Sequence, residues 1–375
     1  MILHLANDFN HTKVHKELYS HLDCLYIRQI VFIPLRKEQH IGDNHFDFVT
    51  NDSEFVYSDR LKKYHKFFFK NKISFLYNNL LKKINISKLS LSHATTLFSD
   101  GAIAYKLFKY HNIPYIVTVR NTDIFTFFKY RKDLIPLALK ILYNASKIVF
   151  VSESNRRAFN NLSFIKKHYS NFSPRVEVIN NGINNYWLSN KESYEKSNSL
   201  QNYRFLFIGR FDKNKNIENL IYGMEKFMNY NKEVKLQLDV VGGNGAMHNK
   251  VVRLISSKKW INFHGIINDK TELKKIFKSV DFFSLISFYE TFGLVYLEAL
   301  SQGKPILFTE GQGVDFTFVF RVGEKVNPRS IDDISKKIKL LVDSKYQQIN
   351  NIDFNVFMWK NIAKKYSEIY NQIIK

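Results

Sequence analysis

Residues 281–305 read DFFSLISFYETFGLVYLEALSQGKP. The run from Phe282 to Phe288 is apolar and aromatic, and short enough for one buried strand. Tyr289 and Glu290 end it. Thr291 then stands as an N-cap, with Leu294, Leu297 and Leu300 following at helical spacing. Gly303 stops the helix, and Pro305 opens the next strand, Ile306 to Thr309. On this reading Glu290 and Glu298 bracket the first two turns of one helix, roughly 12 Å apart at about 1.5 Å per residue. That is too far for two carboxylates to share one water or one scissile bond. It suits two acids that grip the ends of one extended ligand. The backbone N–H groups of Phe292 and Gly293 become helix-start donors suited to an anion. The bland alternative is a strand–loop–helix unit with two surface glutamates. The carboxyl end of a strand is where open α/β sheets bind ligands, which favours a site.

The chain has 375 residues, room for two domains, and 45% are apolar, enough for real cores. Its single cysteine, Cys24, excludes a disulfide framework and a cysteine-based zinc site. The N-terminal MILHLANDFN carries too short an apolar run for a signal peptide, and no window approaches the ~18 apolar residues of a membrane span. The expected location is cytoplasmic. The formal net charge of +22 points to polyanionic partners. Enrichment in Lys, Asn, Ile, Phe and Tyr together is a competing, compositional cause.

Ile2 to Ala6 reads as a strand, Asn7 to Thr12 as a polar loop, and Val14, Leu18 and Leu22 as a helical stripe that leaves His15 on the helix surface. Tyr26 to Pro34 carries the next strand, and residues 35–60 are irregular and polar. Leu89 to His93, Gly101 to Tyr110 and Pro114 to Val119 form a β–α–β unit. Ser152 caps a helix that runs through Arg156. Residues 185–202 are polar and aperiodic, and are placed as the linker. Tyr203 to Ile208 opens a second domain. There Gly209, then Arg210 and Lys215 before a helix, make a sensible grip on a diphosphate. Gly243-x-Gly245 is followed by His248 and lacks the third glycine of a dinucleotide fingerprint, which excludes a nicotinamide enzyme. Residues 310–315 read as a flexible loop. Helices from Ile331 to Leu341 and from Asn355 onward close the chain.

Glu290 to Glu298, E-T-F-G-L-V-Y-L-E, with A-L-S-Q-G-K-P after it, resembles the E-x7-E signature of retaining nucleotide-sugar glycosyltransferases of family 4, bacterial surface-polysaccharide type. Gly209 to Asn216 resembles that family's G-R-[LF]-x-x-x-K-[GN] element, and Gly265 closes a segment similar to its F-x-G turn. The resemblance implies that Glu290 holds the donor sugar's hydroxyls, that Glu298 accepts the ribose hydroxyls, and that Arg210 and Lys215 clamp the diphosphate. Phe292, Gly293, Leu294, Gly209 and Gly265 would line the donor site. On the acceptor side, His93 resembles a strand-end His. Arg120-Asn121-Thr122-Asp123 stands where the family has H-G-x-D, so Asp123 matches and Arg120 replaces the His. A guanidinium can bind a phosphate or sugar hydroxyl and cannot act as a base. Asn180 to Asn184 resembles the turn that ends the first domain.

The implied fold is α/β, GT-B: two Rossmann-like domains with parallel sheets facing a central cleft. They cover residues 1–190 (acceptor side) and 200–350 (nucleotide sugar), with a C-terminal helix, 355–375, crossing back to the first domain. The implied reaction moves a sugar from a nucleoside-diphosphate sugar to a glycan or polyprenyl-linked acceptor. No cofactor is implied beyond that co-substrate. With no D-x-D, none of the residues suggests a metal. A GT-B-like epimerase or phosphorylase, or a basic lipid- or nucleic-acid-binding protein, are the competing readings; acids in the cleft argue against nucleic acid as partner. Residues 62–88, KKYHKFFFKNKISFLYNNLLKKINISK, contain no acid. They read either as an anionic-membrane surface, making the protein peripheral on the inner face of the plasma membrane, or as a core helix with solvated lysines.

Overall fold

The computed structural model describes residues 1–36, 38–195 and 201–374. Two compact units emerge, Met1–Gly182 with Val356–Lys375, and Ile183–Asn355. Each is built on a parallel sheet, with crossovers through helices, as the alternating β and α patterns require.

The first unit carries β1 (Ile2–Leu5), β2 (Gln29–Ile33), β3 (Glu54–Tyr57), β4 (Leu91–Ala94), β5 (Tyr115–Val119), β6 (Lys147–Phe150) and β7 (Val176–Val178), in the spatial order β3-β2-β1-β4-β5-β6-β7. Successive side chains alternate between its faces. Leu3, Leu5, Ile30, Phe32 and Val117 pack under the helices Phe69–Lys83, Ser99–His111 and Ile135–Asn144. On the other face Ile2, Val31, Ile33, Ile116 and Val149 meet Leu18 and Leu22 of the helix Lys13–Asp23. The last helix, Trp359–Ile374, covers that same face through Ile362, Tyr366 and Ile369, so the end of the chain belongs to the first unit.

The second unit carries β8 (Asn202–Arg210), β9 (Lys235–Gly243), β10 (Ile261–Gly265), β11 (Phe282–Leu285), β12 (Ile306–Thr309) and β13 (Gly323–Val326), ordered β10-β9-β8-β11-β12-β13. Helices Ile217–Tyr230 and Ile331–Asp343 pack together against it, burying Leu220, Ile221, Met224, Ile334 and Ile338.

Several expectations are corrected. Residues 35–60 are not wholly irregular: Glu54–Tyr57 is an edge strand, half-exposed and paired with β2 alone. His15 is buried, since its helix is covered on that side. Asn185–Ser189, read as linker, forms a short helix whose Trp187 is buried, with its ring 5.4 Å from that of Phe277. The rest of that linker assignment includes residues 196–200, which lie outside the described residues. Within 62–88, a helix spans Phe69–Lys83 and buries Phe69, Ile73, Leu76, Tyr77 and Leu80, while Tyr64, Phe67 and Phe68 remain exposed.

Candidate functional site

In the second sheet the strand order reverses between β8 and β11. Loops leaving two such strands diverge, and the crevice between them is where open α/β sheets take ligands. Gly209 and Arg210 are the last residues of β8, opposite Gly242 and Gly243 of β9. A side chain on Gly242, whose φ is +134°, would place its Cβ 1.9 Å from the Gly209 carbonyl oxygen. Only glycine lets the two strands run side by side to this point.

Across the reversal, the Lys215 ammonium donates to Glu290 Oε2 at 2.7 Å. Lys215 follows β8 in a short 3-10 turn, and Glu290 follows β11. The Ser287 hydroxyl donates to the same carboxylate oxygen at 3.3 Å. The loop around Glu290 is pinned by Asn214, whose side chain bonds the Tyr289 carbonyl at 2.8 Å and accepts from the Tyr289 N–H at 3.0 Å. Residues 310–315, expected to be flexible, are bonded to it as well: the Glu290 N–H donates to Gln312 Oε1 at 3.1 Å, and the Gly313 N–H to the Glu290 carbonyl at 2.9 Å. Arg210 is largely exposed and lies 3.4 Å from Asp212.

The helix after Glu290 starts later than its sequence suggests. It spans Leu294–Ser301 with Gly293 as N-cap, so Thr291 is not the cap and Glu290 stands in the loop before the helix. The helical estimate of the Glu290–Glu298 spacing therefore does not apply. Gly293 adopts φ +77°, and a Cβ there would lie 2.5 Å from the Tyr296 ring and 3.0 Å from Glu290 Cγ. Left-handed backbone lets the chain turn tightly over Tyr296, whose buried hydroxyl donates to the Leu285 carbonyl at 2.6 Å. The Phe292 ring is buried, so any role for it at a ligand is through its backbone. Leu294 is the first helical residue, and Gly265 closes β10.

Glu298 lies inside this helix, partly shielded from water. Burial pushes its carboxyl up to about 7, partly offset by a hydrogen bond to the Trp187 side chain and the charge of Lys270. Trp187 escaped the sequence reading because its segment is polar and aperiodic; one large aromatic in such a stretch was the available signal.

The first-unit candidates are placed differently. His93, on β4, is buried, with Nδ1 2.7 Å from the Tyr370 hydroxyl and Nε2 3.0 Å from Thr118 Oγ1. Both ring nitrogens are engaged within the core, and burial pushes its pKa down to about 3. Asp123 is buried too and accepts from the backbone N–H groups of Leu97, Phe98 and Arg120 at 3.1, 3.3 and 2.9 Å. Burial raises its pKa to about 6 against those bonds. It ties the loop after β4 to the loop after β5. Arg120 is half-exposed, with Nε bonded to the Thr95 carbonyl at 2.8 Å. The sequence reading missed Asp100, buried at the start of the Ser99–His111 helix and bonded by the Thr95 and Thr96 hydroxyls at 2.8 and 3.0 Å. Lys72, read with the lysines of 62–88 as headgroup-facing or solvated, instead donates to Ser99 Oγ at 3.1 Å.

Two Rossmann-like units, each on a wholly parallel sheet of seven or six strands, define the GT-B fold class. Sucrose-phosphate synthase from Thermosynechococcus elongatus shares that fold, with a TM-score of 0.72 at 17% identity over 99% of this chain and 98% of that one. Residues 176–353 match the family of glycosyl transferases group 1. An uncharacterised glycosyltransferase of Methanocaldococcus jannaschii is 28% identical over 280 residues, 69% of each chain. Alpha-monoglucosyldiacylglycerol synthase of Acholeplasma laidlawii is 25% identical over 247 residues, 60% of each.

Proposed function

We propose that this protein transfers a hexose from a nucleoside-diphosphate sugar to a glycan or lipid-linked acceptor, with retention of anomeric configuration, as a family 4 glycosyltransferase of cell-surface polysaccharide synthesis. The observation that carries the reading is the Lys215–Glu290 pair astride the β8/β11 reversal, with Arg210 at the end of β8. The departing diphosphate gathers negative charge as the glycosidic bond breaks. On this reading Arg210 and Lys215 meet that charge, most strongly in the transition state. Glu290 then has its ammonium partner drawn toward phosphate and its oxygens turned to the sugar hydroxyls. Glu298 accepts the ribose hydroxyls. Retention rests on the likeness of Glu290 to Glu298 to the E-x7-E signature.

The test is a screen of UDP-, GDP- and ADP-sugars for slow hydrolysis, with mass detection of the released sugar. One donor should be hydrolysed, and an α-linked donor should give an α-linked product once an acceptor is found. Hydrolysis of none, together with no thermal protection by any nucleoside diphosphate, overturns the reading.

Residues 62–70 support a second element, peripheral docking on an anionic membrane at the cytoplasmic face. Phe67 is 72% and Phe68 59% exposed, and the flanking Lys62, Lys63, Lys66 and Lys70 supply the charge. No helix of the described residues is long and apolar enough to cross a membrane.

A further inference from the structure

Beside that surface, within the first unit, opens a cavity of about 1080 Å³. Its cations are Arg36, Lys62, Lys63, Lys66, Lys72 and Arg131, and no acidic residue lines it among the described residues. Its apolar wall is Leu61, Phe67, Phe69, Phe127 and Tyr130. The two kinds of residue interleave: the Arg131 guanidinium sits 5.9 Å from the centre of the Phe69 ring, which meets Phe127 edge-on at 6.1 Å. Phe127 ends a π-helical turn, Asp123–Phe127, a wide backbone form that concentrates at functional sites.

Two of its lining residues reach the loops on either side of the strand reversal in the first sheet, which falls between β1 and β4. Arg36 reaches Asp8, after β1, at 3.3 Å, and Lys72 bonds Ser99, after β4, at 3.1 Å. Lys63, Lys66 and Lys72 form no salt bridge among the described residues. Lys72 is partly shielded from water, which lowers its pKa, and the acid that acts on it most, Asp100, is held at about 7 by its own burial. Its charge is thus incompletely answered by the protein. Like charges gathered around a concave surface are costly unless an anion joins them.

We propose that this cavity is a binding site for one phosphate-headed lipid, the phosphate on Lys72 and its neighbouring cations and the first carbons of the chain along Phe67, Phe69, Phe127 and Tyr130. A free phosphate ion would leave the aromatic wall unused, and the volume far exceeds that of an inorganic ion. A nucleic acid asks for cations tracking along a surface, whereas these converge on one hollow. Membrane docking engages a bilayer; this site takes a single molecule in a fixed ratio. The proposal rests on the transferase reading for its meaning as an acceptor or anchor site, and not for the binding itself.

The experiment titrates dihexanoyl phosphatidic acid, below its micelle concentration, into the full chain by calorimetry. One molecule should bind per chain, at least tenfold tighter than inorganic phosphate, dihexanoyl phosphatidylcholine or an oligo-dT of matched phosphate concentration. Lys72→Met and the exposed Lys66→Glu should each weaken it, Lys72→Met by tenfold or more, about 1.4 kcal/mol. If Lys72→Met does not fold, Lys66→Glu and Phe67→Ser decide. Equal binding of phosphate, of the zwitterionic lipid or of the oligonucleotide overturns the proposal, as does indifference to Lys66→Glu and Phe67→Ser. Thermal protection by nucleoside diphosphates is read on the same samples. Lipid binding lost with nucleotide binding intact strikes this inference alone; the reverse strikes the transferase reading.

Discussion

Lys215 and Glu290, 75 residues apart in the chain, meet at 2.7 Å with both side chains mostly shielded from solvent. A pair at this depth is held by its partners, and removing one member strands the other charge. Lys215→Met and Glu290→Gln should each lower kcat by more than tenfold. The double variant should cost less than the product of the two, with a coupling of about 0.5–3 kcal/mol. Purely additive losses would show that the two residues serve unrelated steps. Arg210→Ala should lower kcat as well, and activity should persist in EDTA.

Glu298 gives a pH signature. Burial raises its carboxyl to about 7, so it is protonated below that pH and ionised above it. An ionised carboxylate accepts ribose hydroxyls better. Nucleotide affinity should therefore tighten from pH 6 to pH 8, by up to about tenfold per unit below the pKa. Glu298→Gln should bind more weakly at pH 8 and lose the part of the pH dependence that the nucleotide's own phosphate does not supply. Parallel profiles for the two proteins would remove Glu298 from the site.

Acid should loosen the first unit. His4, His15 and His93 are buried, and burial pushes each pKa below 6.5, to about 3 for His93. The unfolded chain binds protons below about 6.5 that the folded unit refuses. Stability is full above that pH and falls as pH drops, by about 1.4 kcal/mol per unit for each histidine. His93→Gln should shallow the slope of urea midpoint against pH between 6.5 and 4. An unchanged slope would place the proton uptake elsewhere.

Gly242 tests the backbone. With φ +134° and a Cβ 1.9 Å from the Gly209 oxygen, Gly242→Ala must separate β8 from β9 near Arg210. The expected loss is on the order of 1–3 kcal/mol of stability, with a weaker nucleotide site. The thermal midpoint with and without nucleotide measures both.

Liposome sedimentation tests residues 62–70. Binding to anionic vesicles should fall with salt and vanish when Lys62, Lys63, Lys66 and Lys70 become Glu. Salt-insensitive binding would mean that these lysines are only solvated.

Much of the second unit was legible. Phe282, Ile306 and Tyr203 open or border apolar runs of strand length, and in a parallel sheet buried on both faces such runs need no alternation to be read. β12 appears at its expected bounds, Ile306–Thr309. The helix start after Glu290 was not legible, because a left-handed Gly293 and the ring of Tyr296 decide it, and Thr291 is an equally good cap on paper. β3 was hidden since an edge strand with half-exposed residues has little apolar pattern. His15 was assigned to solvent because the groups it lies among, His4, His93 and Arg120, come from three separate parts of the first unit. His93, Asp123 and Arg120 were named together from motif positions. Their partners set them apart: His93 bonds Tyr370 and Thr118, and Asp123 bonds three backbone N–H groups, that of Arg120 among them, leaving Arg120 the most exposed of the three.

The helix Trp359–Ile374 also sets an order of assembly. During translation, residues 1–182 emerge first, yet Leu91, Ile116 and Val149 keep part of their sheet face bare until Ile362 and Tyr366 are made. Residues 183–355 form a continuous unit synthesised in the interval. The part synthesised first is the part completed last, and throughout that interval the nascent chain carries an uncovered apolar face of the kind chaperones bind.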